Sequence, residues 1–534
     1  MSELALPVVE FAPDRWGNPA HATGLSPATK EALDALGVRP RSVAVAPEDV
    51  VLPGPAVPAS ARTALEAAVG AAYVSDEEMD RLRHTRGWST PDILRMRAGD
   101  VADAPDLVVR PGSHDEVVRV LQVCSEAGVA VVPYSGGTSV VGGLAPEREG
   151  FAGVVALDLA RLDAPVALDP VSRTATLQAG MRGLRAEELL QAEGFTLGHF
   201  PQSYEGASLG GYAAARSAGQ SSAGYGRFDE MVVGLVLATP RGTLELGTAP
   251  KSASGPDLRQ LVLGSEGVLG VITSLTVRVR PVPRERVFEG WRFPSFGAGL
   301  EAVRRLAQDG PLPTVLRLSD EAETAINLAD PSGGPAPGEG GCLAITGYEG
   351  DPEDVAVRRG RATAVLQACG GEPLGLESGE AWRRGRFHGP YQRDPLLDAG
   401  AFVETLETVT FWSNVPRLKA AVTEAVQGAL GEQGTPAIVL CHVSHVYETG
   451  ASLYFTIACA QADDPLAQWA PAKAAANAAI RAAGAAISHH HGVGTDHRAP
   501  YAEEIGPLGV EVLRAVKATL DPAGILNPGV LVAR

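Results

Sequence analysis

The stretch Val129-Ala130-Val131-Val132-Pro133-Tyr134-Ser135-Gly136-Gly137-Thr138-Ser139 decides how this chain is read. Its first half is a short, continuous apolar run suited to a buried strand. It passes directly into a glycine-rich loop, with Gly142-Gly143 just beyond. Working outward, Leu107-Val108-Val109 predicts a short strand and Ser113-His114-Asp115-Glu116 a helix start with acids in its first turn. Val117–Ala127 carries the apolar stripe of an amphipathic helix. Strand, helix, strand and Gly-rich loop make an α/β unit. Glycines there let the backbone curl into a concave row of N–H donors that suits a diphosphate, although the same residues also make an ordinary tight turn. No Gly-Lys-Ser/Thr follows, so the loop is not a Walker loop. The spacing is also not the six-residue glycine pattern of a nicotinamide fold.

Two further loops share this texture. One is Pro201-Gln202-Ser203-Tyr204-Glu205-Gly206-Ala207-Ser208-Leu209-Gly210-Gly211, continuing through Ala215-Arg216-Ser217-Ala218-Gly219. The other is Gly264-Ser265-Glu266-Gly267-Val268-Leu269-Gly270-Val271-Ile272-Thr273, which enters a strand. Around them Gly153–Asp158, Thr174–Gln178, Met231–Ala238, Thr243–Leu246 and Val271–Val279 predict short strands, so the region is α+β with much of its backbone in turns. Each loop alone has a structural reading; three of them at strand ends point to one planar or phosphate-bearing ligand.

The 534 residues exceed one ordinary core, and 45% hydrophobic with 20% charged residues allows full globular burial. A net charge of −18 repels phosphate backbones and anionic lipid, which excludes a nucleic-acid binder and requires placed Arg or Lys side chains for any anionic substrate. Five Cys without CxxC spacing argue against a disulfide framework or a Cys-rich zinc site and fit a reducing cytoplasm. No apolar run is long enough for a membrane span, and Met1–Pro13, with Glu3 and Glu10, lacks a signal-peptide pattern. A soluble cytoplasmic enzyme is the expectation.

Further along, Asp330–Gly341 predicts an exposed Gly/Pro-rich loop. Pro471–Ala483 predicts a helix with its proline in the first turn, and Val510–Leu520 a helix stopped by Asp521-Pro522. Between the last two lies Ser488-His489-His490-His491-Gly492-Val493-Gly494. On a strand, neighbouring residues face opposite ways, so at most two of the three imidazoles could share a ligand. An exposed run is the bland alternative; the apolar residues before it and Gly-Val-Gly after it favour a buried one. Arg317 in Val315–Leu318 and Tyr454 in Ala451–Phe455 sit in strand-like contexts, and Arg393 follows Pro390-Tyr391-Gln392. Read as residues alone, these are a salt-bridged Arg, a core Tyr and another structural Arg.

The order of the three glycine loops resembles the FAD-binding domain of the vanillyl-alcohol-oxidase flavoprotein family. Within it, nearly the whole chain resembles the alkyldihydroxyacetonephosphate (alkylglycerone-phosphate) synthases, most strongly in residues 105–283 and 484–530. The resemblance implies a two-domain α+β fold of the p-cresol methylhydroxylase (PCMH) type. Residues 1–100 would form an N-terminal helical extension, 101–283 the FAD-binding domain, 284–483 an α+β substrate (cap) domain, and 484–534 a segment returning the histidine motif to the first domain. FAD would be held by Pro133, Tyr134, Ser135, Gly136, Gly137, Thr138 and Ser139; by Gln202, Ser203, Tyr204, Ser208, Gly210, Gly211, Ala215, Arg216 and Ser217; and by Glu266, Gly267, Val268, Gly270, Val271 and Ile272. Some family members link the flavin covalently through a His after the Gly-Gly pair; here that place is Thr138, so the resemblance implies non-covalent FAD.

The same resemblance gives Tyr454 a proton-transfer role, carries catalytic need to His489, His490, His491 and Arg317, and puts Arg393 on a substrate phosphate. The implied reaction exchanges the acyl chain of acyl-dihydroxyacetone phosphate for a fatty alcohol through a flavin N5 adduct, with no net redox change, in ether lipid biosynthesis. The alternative is an FAD-linked oxidase or dehydrogenase of a 2-hydroxy acid, with a His as base and Arg393 on carboxylate; a non-catalytic FAD-binding protein is the third reading. His442 and His445 stand where the synthases have Arg and Gln. The related D-2-hydroxy-acid dehydrogenases hold a divalent metal in this region with histidines and a Glu before the final His-Gly, but here that residue is His490, so no metal is expected. Glu404, Thr405 and Glu407 resemble the family's segment near the flavin, without individual roles. A small-molecule lipid or hydroxy-acid substrate, a homodimer and at most loose contact with a membrane surface complete the expectation.

Overall fold

The computed structural model describes residues 11–35, 37–40, 44–326 and 340–534. The opening stretch forms the strand Ala130–Tyr134, preceded by the helix His114–Ala127. Ser113 starts that helix by accepting from the Glu116 N–H at 3.2 Å; Asp115 and Glu116 offset the dipole, and left-handed Gly128 stops it. Val117, Val120, Leu121 and Cys124 form its buried stripe. Because the helix carries the chain back, Ala130–Tyr134 lies parallel to Val154–Asp158, which is parallel to Leu107–Val109; Val74–Ser75 adds an antiparallel edge. A second, five-stranded antiparallel sheet runs in the order Pro165–Asp169, Thr174–Gln178, Val271–Arg278, Val232–Thr239 and Gly242–Leu246.

The third sheet has seven antiparallel strands, in the order Glu372–Gly375, Glu285–Phe293, Cys342–Gly350, Val315–Ser319, Ile438–Val446, Gly450–Ala460 and Ala401–Phe411. Side-chain alternation divides it into two faces. Leu316, Leu318, Cys441, Val443, Leu453, Phe455 and Leu406 enter the core with the helices Phe296–Asp309, Val415–Glu432 and Pro465–Ala482. Arg317, His442, Tyr454 and Glu407 occupy the other face. Register makes this a row, with His442 opposite Tyr454 and Tyr454 opposite Glu407.

The chain end closes back on the first sheet. Val131 donates to the Ile525 carbonyl and accepts from Asn527, both at 2.8 Å, and the Asn527 side chain donates to the carbonyls of Gly143 and Glu266. Near the other end, Arg97 of the helix Thr90–Arg97 donates to Asp394 at 3.0 Å and Asp398 at 3.1 Å, while Asp394 also accepts from Trp16 N–H. No described helix is long and apolar enough to cross a membrane.

One sequence expectation needs correction. The helix expected to start at Pro471 starts at Pro465, capped by Asp464, which accepts from Leu466 and Ala467 N–H; Pro471 therefore lies in the helix interior, not its first turn. The histidine run forms a bend in which neighbouring rings lie 5.1 and 4.7 Å apart. The Gly/Pro-rich stretch from Asp330 lies outside the described residues as far as position 339.

Candidate active site

The three glycine loops meet. A Cβ on Gly136 would stand 2.2 Å from the Gly206 carbonyl oxygen, and one on Gly267 would stand 2.8 Å from the Pro133 ring, so loops one and two, and one and three, touch through missing side chains. Ser139 accepts from Trp88 N–H through its carbonyl and from Gly143 N–H through its hydroxyl. The Tyr134 hydroxyl donates to the Arg83 carbonyl. The Ser135 hydroxyl is closed to solvent and has no partner, which a cofactor oxygen would supply. A backbone cradle with an unpartnered hydroxyl fits the diphosphate of FAD.

Other predicted cofactor residues are placed differently. Ser208 caps the helix Leu209–Ala215 by accepting from Gly211 N–H, and Gly210 donates to the Ala179 carbonyl. Ser217 pairs with His199, and Arg216 is committed to Asp229 and the carbonyls of Leu263 and Gln260. Tyr204 stacks on Phe387 at 4.0 Å; Gln202 is exposed, and Ser203 turns its carbonyl to Gly206 and Ala207. Val268, Val271 and Ile272 bury their side chains in cores, and Val268 N–H donates to the Ser265 carbonyl while Val271 and Ile272 pair with Ala238 and Leu237 in the second sheet. Glu266 is occupied elsewhere: its carboxylate accepts from Val493 and Gly494 N–H at 2.9 to 3.1 Å, pinning the histidine segment to the third loop. Burial pushes that carboxyl up to about 7 against those two donors.

The histidine run is organised by Glu407, which is buried beneath it. One carboxylate oxygen accepts from the Ser488 hydroxyl at 2.7 Å and from His490 and His491 N–H at 3.1 and 2.9 Å; the other accepts from His489 N–H at 2.7 Å. Burial alone would raise this carboxyl, but the imidazoles of His490, His491 and His489 and the N–H of His491 hold it well below the usual range. Burial lowers His491 to about 3 and puts His445 and His489 well below their ordinary value. His489 meets the Tyr447 hydroxyl at 2.5 Å and His490 at 2.9 Å, while His445 meets the Ser222 hydroxyl at 2.6 Å. Nitrogens of His445, His489 and His490 lie within 4.8 Å of one another.

Tyr454 completes the cluster. Its ring stacks on His442 at 5.0 Å and meets His491 edge-on at 5.7 Å and His490 at 6.4 Å. Burial pushes the phenol up to about 12. His442 is oriented by Glu323 and Arg317: its Nδ1 lies 3.0 Å from both the Glu323 carboxylate oxygen and Arg317 Nη2, and that Nη2 donates to the same carboxylate oxygen at 2.9 Å. Burial would raise Glu323, yet His442 and Arg317 bring it down to about 2. Arg393, in the helix Gly389–Asp398, gives Nη1 to the Trp88 carbonyl and leaves Nε and Nη2 enclosed and unpartnered. The structure thus brings Tyr454 and the three histidines together and links Arg317 to them through His442. Sequence reading missed Glu323 and Tyr447 and named Glu407 without a role. Only strand alternation in Val403-Glu404-Thr405-Leu406-Glu407 hinted that Glu407 faces the site.

Comparison with known proteins agrees with this architecture. The FAD binding domain family matches residues 105–247, and the C-terminal domain of FAD linked oxidases matches residues 282–531. The alkyldihydroxyacetonephosphate synthase of Dictyostelium discoideum is 34% identical over 86% of this chain and 78% of its own length; that of Trypanosoma brucei brucei is 31% identical over 84% and 77%. A solved alkyldihydroxyacetonephosphate synthase superposes with a TM-score of 0.83 at 28% identity, covering 97% of this chain and 98% of the other. FAD is the cofactor, and the fold is of the PCMH type. With these loops, this histidine bend and that degree of identity, the chain belongs to the alkyldihydroxyacetonephosphate synthase family.

Proposed function

We propose that this protein is an FAD-dependent alkylglycerone-phosphate synthase that replaces the acyl chain of acyl-dihydroxyacetone phosphate with a fatty alcohol, forming the ether bond of an ether lipid precursor. The observation that carries the reading is the convergence of Tyr454 with His490 and His491 over one buried carboxylate, Glu407. Bound FAD supplies a nucleophilic ring nitrogen that no side chain offers. The protein moves protons and holds charge. Tyr454, neutral because burial raises it to about 12, exchanges a proton at the carbon bearing the ester, and the imidazoles of His490 and His491 beside it accept and return protons. Arg393 has the side-on pair Nε and Nη2 free, the planar geometry that receives two phosphate oxygens. Arg317 keeps His442 in place through Glu323 and so supports the Tyr454 ring.

Turnover of acyl-dihydroxyacetone phosphate with a fatty alcohol tests this. Tyr454→Phe should abolish exchange while FAD stays bound, and Arg393→Met should act mainly by raising KM. Unchanged rates in both variants would remove the assignment. Anaerobic bleaching of the flavin by a 2-hydroxy acid would instead favour the oxidase reading. The homodimer, the cytoplasmic placement and a loose contact with a membrane surface belong to this proposal; sizing chromatography and vesicle flotation test the first and last.

A further inference from the structure

Among the described residues, guanidinium nitrogens that are closed to solvent and without any hydrogen-bond partner belong to three arginines: Arg317, Arg386 and Arg393. Two of these already have places at the site. Arg386 has none, and it leaves both Nε and Nη1 unfilled. Enclosed arginines elsewhere show how this chain ordinarily treats such a charge. Arg81 donates to the carbonyls of Pro105 and Pro53, Arg97 to Asp394 and Asp398, and Arg227 to Asp229 and the His489 carbonyl. An orphaned donor on a charged group is costly, so it marks a place where a partner arrives later.

The surroundings of Arg386 do not supply that partner. Its guanidinium lies over the rings of Phe387, Phe200 and Trp382 at 4.8, 5.6 and 5.7 Å. Ring faces attract the cation but do not accept its in-plane N–H groups. Burial brings the guanidinium down to about 10, with the Glu349 charge opposing the fall. Glu349 itself is engaged by the Tyr225 hydroxyl at 2.6 Å.

Arg386 also stands beside the machinery. It follows the helix Leu376–Gly385, and its carbonyl accepts from the Gln220 side chain at 3.0 Å; the Gln220 oxygen is another enclosed atom without a partner. Gln220 N–H donates to the Phe200 carbonyl at the start of the second glycine loop. Two residues on, Ser222 holds His445 of the imidazole cluster.

We propose that Arg386 is an anion-binding residue of the substrate site, taking an oxyanion, phosphate or carboxylate, through one of its two orphaned donors, Nε or Nη1, which point to different sides of the guanidinium. The identification of that oxyanion as the substrate's rests on the function proposed above, in which a phosphate ester enters and a fatty carboxylate leaves.

The test uses the FAD-loaded full chain, with inorganic phosphate and decanoate as separate probes, followed by calorimetry and by flavin difference spectra. Arg386→Met should weaken one of the two by about tenfold or more, while Arg386→Lys retains most of the affinity, as a charge-assisted contact requires. FAD content should not change. The thermal midpoint should hold or rise, because an unpaired enclosed charge is replaced by an apolar side chain of similar length. Loss confined to phosphate identifies the headgroup, and loss confined to decanoate identifies the leaving carboxylate. Unchanged affinity for both with a lowered midpoint would mean that Arg386 only packs, and loss of FAD would mean that the anion is the cofactor's; either result overturns the proposal. If wild-type protein fails to turn over acyl-dihydroxyacetone phosphate while Arg386→Met still loses anion affinity, the proposed function falls and the anion site stands.

Discussion

Replacing Glu407 with Gln changes one oxygen to an amide nitrogen beneath the histidine bend, with almost no change in shape. The carboxylate now takes three donors on one oxygen and one on the other, all at 2.7 to 3.1 Å. An amide can keep the threefold side by pointing its oxygen there, but its NH2 then faces the His489 N–H, donor against donor. That leaves a buried backbone donor unsatisfied, at about 1–3 kcal/mol, and turns three charge-assisted bonds into neutral ones at roughly 0.5–1.5 kcal/mol each. A local loss on the order of 2.5–7.5 kcal/mol shifts Ser488–His491 and takes the rings away from Tyr454. Displacing a catalytic constellation by about 1 Å costs roughly a hundredfold in rate. We therefore expect Glu407→Gln to lower kcat by at least about a hundredfold with FAD still bound, and to speed amide exchange across residues 487–494. Glu407→Asp should lie between the two. Wild-type kcat within about threefold, together with unchanged exchange in that segment, would refute the positioning role. Glu407 is also acid-sensitive in a defined sense. Its native carboxyl lies below its ordinary 4.5, so its contribution is complete above that pH and is lost as pH falls further.

Two other expectations follow. Tyr454 works as a phenol, and burial raises it from 10.0 to about 12, so the protonated form persists until pH approaches the higher value; kcat should show no alkaline fall centred near pH 10, and a fall there would mean that the phenol is not enclosed. Gly136→Ala drives a Cβ into the Gly206 carbonyl at 2.2 Å, an overpacking cost of about 1–3 kcal/mol, and should weaken FAD retention by roughly ten- to a hundredfold; Gly428→Ala, in a helix with nothing within 4 Å, should retain the cofactor fully. Flavin absorbance after gel filtration distinguishes the pair, and equal retention by both variants would remove the loop contact from the argument.

Much of the first half of this chain was legible without coordinates, because its signals are local. Ser113 before two acids, an apolar stripe over two turns and a strand breaking into Gly136-Gly137 are properties of adjacent residues, and the strands Leu107–Val109, a continuous apolar run, and Thr174–Gln178, an alternating one, fall where the sequence puts them. Local rules failed where two of them competed. Pro465 and Pro471 both suit a helix start, and Asp464, accepting from two N–H groups, decided for the earlier one. The apolar flanks of the histidine run signal its burial, but not its shape: Glu407 and Glu266 draw its N–H groups onto carboxylates and bend it.

The sequence by itself determined FAD as the cofactor and the residue types of the site, since glycine-rich loops, a histidine triplet and a guanidinium state their chemistry wherever they lie. Only the tertiary structure decided who works with whom. Glu407 serves residues more than eighty positions away, His442 faces Tyr454 through strand register, and Arg386 is exceptional only because no neighbour meets its donors. The physical reason is that a hydrogen bond or a desolvated charge is set by distance in space, which chain order does not contain.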